Sequence, residues 1–228
     1  MATGTYVYKV QPRDNALNEQ ATGNGTKTVK VDRAAPNVVT QLNGPAYTNT
    51  SVVLTWTAPP DVGPAGVKDY HVFRDTTDLG YVTVTTLTDA GVTTGTYVYK
   101  VQPRDNALNE RSSGNDTLSV MFEQTPPPMV SVTSANTHDN GGATHVCLDW
   151  STVVDSGATV SGVGYYRIYL STTTSKPASA SATAAAPTVS VDFGPNTANV
   201  WINAVDRAGN EGPTNGPAAV TINSNCAP

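Results

Sequence analysis

A sixteen-residue segment occurs twice, letter for letter, in this chain of 228 residues. It reads GTYVYKVQPRDNALNE at positions 4–19 and again at 95–110, an offset of 91 residues. The match decays beyond the segment but keeps its register as far as Pro36 and Pro127. A period of about 90 residues is the length of a whole small domain, so each repeat can close its own core. The chain is therefore expected to be a tandem array of separate domains.

Prolines indicate where one domain ends and the next begins. The segments VDRAAP (31–36) and FEQTPPP (122–128) each follow an apolar alternating stretch with an acidic residue and then proline. Proline lacks the backbone N–H that a sheet ladder needs and stiffens a connection. We predict a first segment at 1–32, a complete domain at 33–122 and a second complete domain at 123–228.

On this division, residues 1–32 supply only the last two strands of a domain. The inward side chains of that hairpin, Tyr6, Tyr8 and Val10, lack the strands against which their repeat equivalents pack, and a lone hairpin is marginally stable in water. Two interpretations remain open. The hairpin packs on neighbouring repeats of a longer chain, or strands from another copy of the chain complete its sheet.

Short apolar alternations recur along both complete domains. Val52, Leu54 and Trp56 lie on one face of a period-2 pattern, and Val146 begins the same pattern in the last domain. The 19 Gly and 16 Pro supply turns between such stretches. Because no stretch of comparable length has helical periodicity, the sequence predicts an all-β protein of antiparallel sandwiches.

The segments LTWTAPPD (54–61), GVKDYHVFRD (66–75) and GVTTGTYVYKV (91–101), with the turns RDNALNE and DRAGNEG, resemble fibronectin type III domains. The likeness is to the form that bacteria string together in secreted proteins, and it covers 33–228. It implies an all-β fold of tandem fibronectin-III/Ig-like antiparallel β-sandwiches. It also implies an extracellular or cell-surface location and a structural role as a spacer or fibre-forming repeat.

Composition and motifs exclude several other functions. A formal net charge of −5 removes the electrostatic basis for binding nucleic acid. No uninterrupted apolar run is long enough to insert into a membrane. The sequence has no HExxH motif, no CxxC pair and no serine elbow, so we expect no enzymatic activity. No cofactor is expected except calcium.

The two cysteines, Cys147 and Cys226, are expected to form a disulfide. In the fold that the resemblance implies, the second strand begins at the pole where the last strand ends, so the two residues can approach each other. A disulfide would indicate an oxidising compartment. The alternative is two unrelated free thiols.

Oxygen-bearing side chains collect in the loops at one pole of each domain, which suggests a calcium site. The candidate ligands are Asp61, Asp105, Asn109, Asp206 and Asn210. Asp32 and Glu123, which precede the two domain-boundary prolines, would lie close to them. The competing interpretation is that Asp and Asn occur here because they tolerate turn conformations and hydrogen-bond their own backbone.

Aromatic residues on the outer face of the last domain suggest a binding surface. Inward Tyr166 and Ile168 would turn their neighbours outward, and we expect an aromatic platform there made of Tyr165, Tyr169, Trp201 and Arg167. The low-complexity segment 175–187 is expected to replace a regular edge strand with a loop. Three interpretations of the platform remain open: cover by the chain itself, packing against another subunit, or stacking on a sugar ring. The last would make the chain an adhesion or carbohydrate-binding module that binds glycans.

Overall fold

The computed structural model describes residues 1–139, 144–192 and 199–222. These residues form strands joined by turns, and none of their elements is a helix. Accordingly, the described ranges contain no helix that could cross a membrane. The chain divides into two compact units, Met1–Pro45 with Val52–Asp89 and Tyr97–Val120, and Ala46–Ser51 with Ala90–Thr96 and Met121–Pro228.

The first two strands form the predicted hairpin. Strands β1 (Gly4–Lys9) and β2 (Thr26–Val31) pair antiparallel, with Tyr6 opposite Val29. They make a two-stranded sheet of their own and join no other sheet of the described residues. The two predicted strands are therefore present and paired, whereas the assignment of residues 1–32 to a domain of their own stays a prediction.

The next eight strands form the first sandwich. They are β3 (Thr40–Asn43), β4 (Tyr47–Thr48), β5 (Val52–Thr57), β6 (Val67–Arg74), β7 (Thr77–Val82), β8 (Thr86–Asp89), β9 (Gly95–Asp105) and β10 (Thr117–Phe122). One sheet has the order β3-β5-β8 and the other β4-β10-β9-β6-β7. The period-2 pattern puts Val52, Leu54 and Trp56 in the core, where the Trp56 ring meets Tyr70 edge-on at 5.4 Å.

The last eight strands form the second sandwich. They are β11 (Val132–Asp139), β12 (Thr144–Trp150), β13 (Val163–Ser171), β14 (Ala182–Ala184), β15 (Thr188–Asp192), β16 (Asn199–Asp206), β17 (Asn215–Ala219) and β18 (Thr221–Ile222). The sheet orders are β15-β12-β11-β18 and β14-β13-β16-β17. Trp150 and Tyr166 repeat the edge-on contact of the first core at 5.2 Å.

The Ser/Ala-rich segment differs in part from expectation. Ala182–Ala184 forms β14, which pairs antiparallel with β13 through Tyr166↔Ala184 and Ile168↔Ala182. The prediction of a loop throughout 175–187 is therefore wrong for these three residues. Small side chains leave the backbone of this edge open to the ladder, and the pairing satisfies its polar groups.

Candidate functional sites

One turn of the backbone occurs three times in the described residues. In each copy the backbone N–H of an aspartate donates to the carbonyl of an asparagine four residues later, at 3.1 Å. The asparagine backbone N–H donates to one oxygen of that aspartate and its Nδ2 to the other. The pairs are Asp14–Asn18, Asp105–Asn109 and Asp206–Asn210. The turn therefore presents an aspartate at the same position of each repeat and holds its side chain in one orientation.

In the first sandwich this aspartate belongs to a group of three, which we call the middle carboxylate cluster: Asp32, Asp61 and Asp105. One oxygen from each lies within 4.8 Å of the others. Backbone N–H groups donate to both oxygens of Asp32 and both of Asp61. Gly63 is packed so closely on Asp32 that a methyl group there would overlap the carboxylate. Every carboxylate oxygen of the middle cluster thus accepts a hydrogen bond.

In the second sandwich the equivalent group, the last carboxylate cluster, is Glu123, Asp155 and Asp206. Their oxygens satisfy the same 4.8 Å limit, and the three residues are only 0%, 6% and 2% exposed. Ser161 N–H donates to Glu123 Oε2, and Gly162 N–H donates to Asp155 Oδ2 at 3.0 Å. Glu123 Oε1 and Asp155 Oδ1 receive no hydrogen bond from the described residues. Two buried acceptors are therefore left without a donor, unlike any in the middle cluster.

The predicted calcium ligands are only partly supported by this geometry. The structure brings Asp61 and Asp105 together with Asp32, and Asp206 together with Glu123. Asn109 and Asn210 each donate Nδ2 to their aspartate, so only the amide oxygen Oδ1 of each could bind a cation. Sequence reasoning placed Glu123 only close to the candidate ligands, although it carries one of the two unsatisfied oxygens. Metal binding itself stays a prediction.

The predicted aromatic platform is wrong as an exposed surface. Tyr169 and Trp201 do lie opposite each other on the outer face, as the alternation predicts. However, they are only 4% and 5% exposed. Lys176 Nζ lies 3.5 Å over the Tyr169 ring, and Gly216 of β17 packs directly on Trp201. The chain itself covers the rings, which was one of the three interpretations.

The remaining platform residues are held in polar contacts. Arg167 forms an ion pair with Glu211, and its Nη2 donates to the Tyr165 hydroxyl at 3.2 Å. The Arg167 guanidinium therefore has partners on both sides. A sugar ring stacks on a flat exposed aromatic face, and neither Tyr169 nor Trp201 offers one.

A different aromatic group lies on the outer face of the first sandwich. The His71 ring lies 4.1 Å from both Phe73 and Tyr81, and Arg104 lies 3.7 Å over the Tyr81 ring. Both ring nitrogens of His71 face carboxylates, Glu110 at 3.0 Å and Asp78 at 2.9 Å. Sequence reasoning missed Tyr81, because the register of β6 against β7 shifts beside Gly80 and breaks the alternation.

A hydrogen bond and burial in this group shift two pKa values. The backbone N–H of Gly80, followed by His71, lowers the pKa of the Asp78 carboxyl below its usual range. Burial, followed by the charge of Glu110, raises the pKa of the Tyr81 hydroxyl. The hydrogen bonds and ring contacts of this group lie within the first sandwich, which indicates a structural contribution to its outer face.

The hairpin exposes what its repeat equivalent buries. Tyr8 is 43% exposed and Val10 77%, whereas Tyr99 and Val101 are 0% exposed. Tyr6 is half-buried, and its hydroxyl donates to the carbonyl of Ala2 at 3.0 Å. The predicted assembly residues therefore present an apolar face that the described part of the chain leaves uncovered.

The predicted disulfide involves one residue that the structure places and one that it does not. Cys147 lies on β12, opposite Asn136 of β11. Cys226 lies outside the described residues. The Cys147–Cys226 pairing therefore stays a prediction.

No family model matches the chain, but relatives match parts of it. Exoglucanase B of Cellulomonas fimi is 40% identical over 125 residues, 52% of this chain and 11% of that protein. Chitinase A1 of Niallia circulans is 31% identical over 149 residues, 62% of this chain and 21% of that protein. Chitinase C of Streptomyces lividans is 47% identical over 75 residues, 32% of this chain and 11% of that protein. The chain therefore spans about a tenth to a fifth of the length of these curated relatives.

Solved structures identify the fold. The fibronectin(III)-like modules of Clostridium thermocellum CbhA give a TM-score of 0.51 at 15% identity, covering 81% of this chain and 93% of that one. The FN1–FN3 domains of chicken CNTN1 give 0.50 at 16% identity, covering 93% of this chain and 76% of that one. The predicted fold class is confirmed: the chain is built from tandem fibronectin type III-like β-sandwiches.

Proposed function

We propose that this chain is a non-catalytic spacer segment of a longer extracellular protein. In this proposal the hairpin β1–β2 is the final pair of strands of a preceding sandwich, as the segments 1–32, 33–122 and 123–228 imply. Neighbouring repeats of the same chain are its partners. Completion by strands of another copy is the competing form of the same proposal.

One observation carries the proposal: an identical sequence is exposed in the hairpin and buried in the first sandwich. In β9 the tyrosine equivalent to Tyr8 donates its hydroxyl to Asp89 Oδ2 at 3.0 Å, inside a closed core. The strands that close this core come from residues 40–89. A copy of those strands placed before the hairpin would cover Tyr8 and Val10 in the same way. The hairpin is thus suited to be part of an array.

The relatives support a spacer role within a longer extracellular protein. The segments that match belong to proteins called exoglucanase and chitinase, and each match covers only a small part of the relative. A spacer in such a protein separates other domains, and short proline-containing connections limit its bending. The names exoglucanase and chitinase refer to polymeric substrates, which favours the extracellular location.

The decisive experiment completes the hairpin. A chimaera that places a copy of residues 33–94 directly before Gly4 recreates the natural junction, because Gly95 follows Thr94 in the chain. We expect the amides of Gly4–Lys9 to exchange at least ~100-fold more slowly than in the parent chain, because they join a closed sandwich. Unchanged exchange rates in the chimaera would refute the proposal.

A matched control separates folding of the new sandwich from mere proximity. The same chimaera with Tyr8→Asp and Val10→Asp places two charges in the intended core, so its hairpin amides should exchange at the parent rate. The parent chain is measured beside it across a concentration series by light scattering. If the parent dimerises and its hairpin becomes protected with concentration, completion by another copy replaces completion within one chain.

A further inference from the structure

The strongest unexplained feature of the described residues is the pair of orphaned oxygens in the last carboxylate cluster. Glu123 Oε1 and Asp155 Oδ1 are buried and accept no hydrogen bond there. Nor does any cationic side chain within the described ranges form an ion pair with Glu123, Asp155 or Asp206. A buried carboxylate that has one oxygen without a donor and no countercharge is unfavourable. A cation bound among these carboxylates would balance their charge and coordinate the two oxygens that lack donors.

We propose that Glu123, Asp155 and Asp206 bind one calcium ion. The donor set consists of carboxylate oxygens alone, without His or Cys, and hard oxygen ligands select Ca²⁺ or Mg²⁺ over transition metals. Two ligands bound at about 2.4 Å to one Ca²⁺ can lie up to about 4.8 Å apart. The spacing of the three oxygens in this cluster satisfies that limit.

The choice of calcium over magnesium follows from the rest of the shell. Mg²⁺ requires near-octahedral geometry at about 2.1 Å and keeps several waters, which suits an open site. Here Ser161 and Gly162 backbone N–H groups already hold one oxygen of Glu123 and one of Asp155. That arrangement leaves a buried, irregular set of oxygens, which fits the flexible coordination of Ca²⁺.

The middle carboxylate cluster provides the contrast within the same chain. All of its oxygens accept hydrogen bonds, four of them from backbone N–H groups around Asp32 and Asp61. A cation there would compete with donors on all three carboxylates, whereas in the last cluster only Asp206 has a donor on both oxygens. The proposal therefore assigns calcium to the last cluster and not to the middle one.

The test measures calcium binding and thermal stability of the full chain. Isothermal titration should show one calcium bound per chain. The melting temperature of the sandwich formed by the last eight strands should rise by at least ~5 °C from excess EDTA to millimolar calcium. Absence of binding and of any shift would overturn the proposal. An equal shift with magnesium at the same concentration would overturn the choice of calcium.

Two matched variants locate the site. Glu123→Gln keeps the size of the side chain and removes its charge, so calcium affinity should fall at least ~10-fold. In EDTA the same variant should melt at or above the parent temperature, because it removes an uncompensated buried charge. Asp32→Asn, at the repeat-equivalent position, should leave calcium affinity unchanged. Retained affinity in Glu123→Gln, or its loss in Asp32→Asn, would overturn the assignment.

Discussion

Residues 4–19 and 95–110 carry the same sequence in two different surroundings. Their turns are alike: Leu17 and Leu108 have φ angles of 71° and 69°. In both copies the aspartate accepts a hydrogen bond from the side chain of the asparagine four residues later. Their strands differ, because the tyrosine and valine faces are exposed in the hairpin and buried in the sandwich. The turn is thus determined by sixteen local residues, whereas burial is determined by strands that lie elsewhere.

The sharpest way to test this comparison is to truncate the equivalent tyrosines. Tyr99→Ala should lower the free energy of unfolding by about 3–5 kcal/mol, because it empties a closed core and removes the partner of Asp89. Tyr8→Ala should change it by no more than about 0.5 kcal/mol, since the side chain is partly exposed. Urea denaturation followed by tryptophan fluorescence measures both. Similar losses in the two variants would show that the hairpin face is covered after all.

The turns allow a second, smaller contrast between equivalent asparagines. Asn109 Nδ2 donates to Asp105 Oδ2 at 2.8 Å, and Asp105 is fully buried. Asn109→Ala should therefore lower the free energy of unfolding by about 1–3 kcal/mol, because a buried acceptor loses its donor. In Asn18→Ala, water can replace the lost donor to the exposed Asp14 side chain. The free energy of unfolding should therefore change little. Urea midpoints of the two variants decide whether burial, and not the turn itself, determines the difference.

Sequence alone predicted what repeats locally. The alternation at Val52, Leu54 and Trp56 identified the core strands, and the repeated Asp–Asn turn indicated where carboxylates gather. These features depend on period-2 geometry and on hydrogen bonds within five residues. The sequence therefore allowed the fold class and the position of the carboxylate clusters to be predicted.

The sequence could not predict features that depend on packing between distant segments. Trp201 was assigned correctly to the outer face, but its cover by Gly216 follows from how β17 lies on β16. The unsatisfied oxygen of Glu123 depends on which backbone N–H groups the loop at Ser161 presents. No periodicity encodes such contacts, because they join residues that are 15 to 38 positions apart.

The pH dependence of the free energy of unfolding gives a third test, which concerns the buried Tyr99. Burial, followed by the hydrogen bond to Asp89, raises the pKa of the Tyr99 hydroxyl above its unfolded value of 10.0. The folded state then favours the neutral phenol, so this stability is complete below pH 10 and is lost as pH rises beyond it. The free energy of unfolding should fall by about 1.4 kcal/mol per pH unit from this residue. Tyr99→Phe should reduce that slope when the free energy of unfolding is measured by urea denaturation above pH 10, and an unchanged slope would contradict the prediction.

The smallest expected effect concerns the exposed copy of the turn. The side-chain hydrogen bond from Asn18, with the backbone N–H groups of Asn18 and Ala16, lowers the pKa of Asp14 below 3.8. A lowered carboxyl pKa stabilises the turn above the unfolded value, and that contribution is lost as pH falls through the folded value. The NMR signal of the backbone amide of residue 18 should therefore report a titration of Asp14 with a midpoint below pH 3.8. Asn18→Ala should move that midpoint upward. An unshifted midpoint in that variant would mean that the asparagine side chain does not hold the turn. The inference that local residues determine the turn would then be wrong.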